Sequence, residues 1–116
     1  MTISKPWADV TNMLRADIHR AGRANWKSFQ RNIDAYIANA RSYVRISPEI
    51  DEAFVTAGQR CQEFATEIAN RGPLYSQNDP AIKQALILAL LAIDELEGRL
   101  QDAGPSDTAV SLGLGW

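Results

Sequence analysis

Apolar residues recur along most of this chain at intervals of three and four, the signature of helices that bury one face. Val10, Leu14, Ile18 and Ala21 open the pattern behind Pro6, a residue pre-set for a first helical turn. Gly22 interrupts it, and Asn25 stands where the next apolar residue is due. The rhythm resumes with Trp26, Phe29, Ile33, Ile37, Ala40 and Val44, on a stripe rotated by roughly a quarter turn from the first. Residues 6–45 therefore read as two helices with a tight corner at 22–25, or as one long helix bent there, and the first is favoured. Next, Ser47-Pro48-Glu49 supplies a cap, a first-turn proline and a first-turn acid. Ile50, Phe54, Ala57, Cys61, Phe64 and Ile68 follow as a packing seam that Gly72-Pro73 ends. Asp79-Pro80 repeats the start signal, and Ile82, Leu86, Ala89, Ile93, Leu96 and Leu100 form the last seam before Gly104-Pro105.

The pattern predicts an all-α domain, a small antiparallel four-helix bundle with helices at about 6–22, 25–45, 48–71 and 80–103. Residues 1–103 form one domain, and residues 104–116 form an irregular tail without helical rhythm. Short connections make antiparallel neighbours the natural arrangement. At 116 residues, 46% hydrophobic and 22% charged, the composition is that of an ordinary globular domain. The longest apolar run, Ala85–Ile93, is too short to span a bilayer, so no membrane contact is expected. The single cysteine and the lack of a basic-then-apolar leader make a cytoplasmic location the expectation.

Charge divides unevenly. Residues 1–50 hold eight Lys/Arg against four Asp/Glu, and residues 51–116 hold four against ten, giving +4 and −6 around a net charge of −2. Such asymmetry points to an electrostatic partner or self-association, or is absorbed when the two halves pack. Arg15, His19, Arg23, Lys27 and Arg31 recur every fourth residue, with Arg20 alongside and Arg41 and Arg45 beyond. Like charges one turn apart oppose each other in a helix, so helix stability does not explain this stripe. It is a candidate contact for phosphates or for an acidic protein surface.

Catalytic chemistry finds little support. One His and one Cys make no zinc cluster, no Glu-x-x-His pair builds a di-iron site, and no phosphate-binding glycine signature or nucleophile elbow occurs. No cofactor, metal or small-molecule substrate is expected. A helical domain of this length with one histidine resembles histidine phosphotransfer domains, whose exposed mid-helix His is followed shortly by Lys and a small residue. His19-Arg20-Ala21-Gly22 departs from that pattern, and His19 falls on the first, shorter helix. Glu63, Glu67 and Glu95 read as solvated helix faces, with Glu67–Arg71 and Glu95–Arg99 in the favourable order.

Two apolar features remain. Ile87, Leu88 and Leu91 fall off the last seam and widen its apolar surface almost all round, so that helix is either central or covered by a partner. Val110, Leu112, Leu114 and Trp116 end a polar, glycine-containing tail. Ile87, Leu88, Leu91, Leu112, Leu114 and Trp116 are thus the candidate protein interface. The leading expectation is a non-catalytic interaction module: an adaptor, inhibitor or assembly subunit that binds a protein or itself. The alternative is a nucleic-acid-associated small subunit of a larger ribonucleoprotein or effector complex, using the stripe Arg15–Arg31. In size, helicity and charge the chain resembles the small helical subunits of CRISPR effector complexes and compact phage-encoded inhibitors of them, though no motif carries a family.

Overall fold

The computed structural model describes residues 5–114, and all its α-helices but the second start at a proline or a side-chain cap that removes or satisfies free amide groups of the first turn. Helix α1 (Pro6–Arg20) and α2 (Trp26–Ser42) lead to α3 (Pro48–Arg71), α4 (Pro80–Leu100) and a short α5 (Asp107–Ser111). A 3₁₀ turn, Gly72–Leu74, follows α3. The Ser47 hydroxyl accepts from the Ile50 amide at 3.2 Å to cap α3, and the Asp79 carboxylate accepts from the Ala81 amide at 2.9 Å to cap α4. Among the described residues the fold is all-α and holds no strand.

The corner between the first two helices is built by one side chain. The Asn25 carbonyl accepts from the Gly22 amide at 2.7 Å, and its amide donates to the Arg20 carbonyl at 3.0 Å. Both ends of the side chain are spent on the turn behind it, so α1 stops at Arg20 rather than running to residue 22. Across the corner α2 folds back beside α1, tied by the Tyr36 hydroxyl donating to Asp17 at 2.9 Å. That bond to an ionised carboxylate, with burial second, raises the Tyr36 pKa above its ordinary value.

α3 packs against α2 on one side and α4 on the other, and α1 closes the arrangement by touching both α2 and α4. The enclosed core holds Leu14 and Ile18 from α1, Ile33 from α2, Phe54, Phe64 and Ile68 from α3, and Ile93, Leu96 and Leu100 from α4. Phe29 meets Phe64 edge-to-face, centroids 6.0 Å apart at 70°. Each such side chain contributes about 1.5–3 kcal/mol on burial. Trp7 extends the α1 stripe one turn toward the N-terminus and is fully buried, with the Lys5 ammonium 5.8 Å from its ring centroid.

The tail departs from the expectation of an irregular segment. Ser106 caps α5 by accepting from the Ala109 amide at 3.1 Å, and its hydroxyl donates to the Ser42 carbonyl at 2.6 Å. The Ser106 amide donates to the Tyr43 carbonyl, and the Arg45 amide to the Gly104 carbonyl. Val44 and Pro105 form an isolated antiparallel bridge. These bonds take the backbone groups of 42–45 that another helical turn would use, so α2 ends at Ser42 instead of residue 45. Residues 103–111 are docked: Ala103 and Ala109 are buried. α4 correspondingly ends at Leu100 rather than residue 103.

Asp79 also holds α3 to α4 through Arg71, whose Nε donates to it at 2.8 Å. The guanidinium hydrogen bond, followed by the Ala81 amide, holds the Asp79 carboxyl below the usual carboxylate value. A carboxyl depressed in the fold adds stability above its unfolded pKa and loses it as pH falls through the folded one. Acid titration of urea midpoints should therefore show a loss below about pH 4 that Asp79→Asn reduces while lowering stability at neutral pH. An unchanged acid limb in Asp79→Asn would contradict this role.

Candidate functional site

The helical register behind the basic stripe breaks at the corner, and its members divide into spent and free cations. Arg15 turns toward α4, where it pairs with Asp94 at 2.6 Å and with Glu97. Arg20 pairs with Asp17 at 2.8 Å. Arg41 pairs with Asp51 at 2.6 Å, its guanidinium carbon 5.3 Å from the Phe54 ring centroid. The Arg15 and Arg41 pairs join the basic half of the sequence to the acidic half, so part of the charge asymmetry is neutralised inside the fold. His19, Arg23, Lys27, Arg31 and Arg45 are exposed, and none has an ion pair among the described residues. His19 lies at the end of α1, Arg23 in the corner, Lys27 and Arg31 on the next two turns of α2, and Arg45 apart from them beyond α2.

The apolar candidates also separate. α4 packs on α3 and α1, and its third side is exposed among the described residues. Ile87 is 48% and Leu91 57% exposed there, while Leu88 is partly buried. α4 is therefore peripheral, not enclosed. On the tail Val110, Leu112 and Leu114 are exposed, and Trp116 lies outside the described residues. Met13, Ile46, Val55 and Leu74, which the apolar rhythm did not mark as surface positions, are also exposed. Val55 lies in a groove of about 590 Å³ between α2 and α3, lined by Ile37, Arg41, Phe54, Gly58 and Gln62 among others. The residue that could have revealed it is Gly58, a missing side chain facing Ile37 at the helix crossing. Ile46 borders another groove, about 450 Å³, with Ile50, Arg99 and Asp102.

A further hollow of about 280 Å³ gathers His19, Tyr75, Gln77, Asn78 and Lys83 over Phe64, Ile82 and Leu86. Among the described residues no group of three or more His, Cys, Asp or Glu could hold a metal ion. No described helix is long and apolar enough to cross a membrane. Comparison with known proteins gave no matching family model, no similar curated protein and no similar solved structure.

Cys61 is fully buried on the α3 seam, and desolvation pushes its thiol up to about 12. It stays protonated at neutral pH, and a thiol is a poor nucleophile compared with its thiolate. Alkylation of Cys61 by iodoacetamide at pH 8 should be negligible in the native chain and rapid in urea. Equal rates in the two states would contradict the burial.

Proposed function

We propose that this chain is a non-catalytic protein–protein interaction module, an adaptor, inhibitor or assembly subunit. Its four long helices act as an antiparallel four-helix bundle, and the outward side of α4 is the contact surface. The observation that carries the reading is the pair Ile87 and Leu91, two large aliphatic side chains one turn apart and half exposed on a well-packed helix. Isolated apolar side chains on a surface are ordinary; a contiguous apolar patch rimmed by charge marks a binding surface. Leu88 widens the patch, and Lys83, Asp94 and Glu95 rim it, all three exposed. Val110, Leu112 and Leu114 offer a second, smaller apolar surface on the docked tail. The free cations give such a module orientation rather than affinity. A cytoplasmic site of action belongs to the same proposal.

The test is a paired substitution. Ile87→Glu with Leu91→Glu replaces exposed side chains, so the variant should keep its helical circular dichroism. It should lose the complex, with itself or another protein, that the wild-type chain forms. Equal complex formation by both chains would overturn the reading.

A second reading has its own observation in favour: His19, Arg23, Lys27 and Arg31 stand exposed, without ion pairs among the described residues, around the α1–α2 corner. These side chains suit phosphates of a nucleic acid in a larger complex. Each phosphate neutralised steepens the negative slope of log affinity against log salt by ~0.9 on duplex DNA and ~0.7 on single strands. The Arg23→Ala, Lys27→Ala, Arg31→Ala chain should then show a slope shallower by roughly 2–3. Absence of DNA or RNA binding at low salt would remove this reading for the isolated chain.

A further inference from the structure

The exposed side of α4 carries a symmetry that its apolar pair alone does not reveal. A helix advances 1.5 Å and about 100° per residue. Residues equidistant in sequence from Ala89 therefore lie at equal heights above and below it, at mirror-image angles about a single line along the helix. Ala89 itself is fully buried, which sets that line on the opposite, outward side. Pro80 and Gly98 fall on the line. Lys83, Ile87 and Asp94 fall to one side of it, and Gln84, Leu91 and Glu95 to the other. All eight are exposed.

A two-fold axis perpendicular to α4 at the level of Ala89 sets a second copy antiparallel to the first. It inverts height but keeps each flank facing the same flank of the partner, as a self-complementary contact requires. Chemically matched groups then come together at every level. Ile87 lies level with Leu91 of the second copy, twice, and the four side chains close the centre. On one flank Lys83 reaches Asp94, a cation to an anion. On the other Gln84 reaches Glu95, an amide donor to a carboxylate. Pro80 meets Gly98, where an added Cβ would find nothing within 4 Å beyond its chain neighbours and the adjacent helix backbone, leaving room for the ring. Like charges oppose each other at none of these positions.

The flanks support the same orientation. Lys83 has no ion pair among the described residues. Asp94 shares Arg15 with Glu97 and keeps 62% of its side chain exposed, so it can accept a second cation. Glu95 borders a shallow hollow of about 120 Å³ shared with Glu49, Glu52 and Arg99. Arg99 pairs with Glu95 at 3.2 Å, which leaves the hollow with more carboxylates than cations and ready for a further donor. A parallel pairing about the same helix would instead set Asp94 against Glu95, acid against acid.

We propose that α4 forms an isologous antiparallel contact with a second copy of this chain, centred at the level of Ala89. This rests on reading the outward side of α4 as an interaction surface, and it names the partner. One helix per copy gives an interface at or below the low end of the ~1,200–2,000 Å² typical of stable complexes. The dimer is accordingly reversible and concentration-dependent.

Charge reversal tests the register directly, with light scattering across a concentration series as the readout and circular dichroism as the folding control. Lys83→Glu alone and Asp94→Lys alone should each weaken dimerisation by roughly tenfold, since each changes two symmetric pairs. The double variant should restore it, because the exchanged charges attract each other across the same two contacts. Mixing Ile87→Cys with Leu91→Cys chains under mild oxidation should yield the mixed disulfide in preference to either homodimer. A wild-type chain that stays monomeric at millimolar concentration overturns the proposal, as does a double variant no better than the single ones. If the monomeric chain still binds a different protein, and Ile87→Glu with Leu91→Glu abolishes that binding, only the second copy as partner is refuted. If no such binding exists either, the interaction reading falls with it.

Discussion

The structure depends on the burial of α3 between α2 and α4. Ile50, Phe54, Cys61, Phe64 and Ile68 provide the apolar volume of that seam, and Ala53, Ala57 and Ala65 provide the close approach. Alternating bulk and small residues lets neighbouring helices interdigitate at the density of a protein interior. α3 is also the longest helix among the described residues, at 24 residues. The other parts follow from it: Arg71 near its end holds the cap of α4, and Asp51 near its start holds Arg41 of α2. α1 is then set across α2 and α4, with Trp7, Leu14 and Ile18 completing the core.

Charge plays a subordinate part in the fold and a larger one on its surface. Ion pairs at exposed or half-exposed positions contribute little each, at most about 1 kcal/mol. Their effect is selection: Arg15 directed to α4 and Arg41 directed to α3 oppose slippage of the basic helices along the acidic ones. What remains after that internal neutralisation is a cluster of cations at the α1–α2 corner and an acidic flank on α3 and α4. Those remnants, with the apolar ridge of α4, are the parts of the molecule that its own folding leaves unsatisfied.

The helix starts were legible because their chemistry is local. Ser47-Pro48 and Asp79-Pro80 carry the cap and the proline within two residues, and both caps form as the spacing implied. The corner at Gly22 and Asn25 was legible as a break in rhythm, though not as the two-ended hydrogen bond that makes it. The missing parts depend on distant partners. Ser106 stabilises α5 only because Ser42 and Tyr43 present carbonyls to it, and Arg15 is spent only because Asp94 lies beside it, 79 positions away. The extra apolar width of α4 was visible in Ile87, Leu88 and Leu91. Which of them faced outward depended on where α1 and α3 docked, and the position of Leu88 partly under cover was settled by that packing.

A dilution series of amide NMR spectra tests most directly the central claim, that the outward side of α4 is covered by a second copy. The expected result is a set of concentration-dependent shifts confined to residues 80–98 and centred on Ile87 and Leu91, with the α1–α2 corner and the α2–α3 groove stationary. Spectra unchanged up to millimolar concentration, or shifts confined to the corner or the groove, would contradict it.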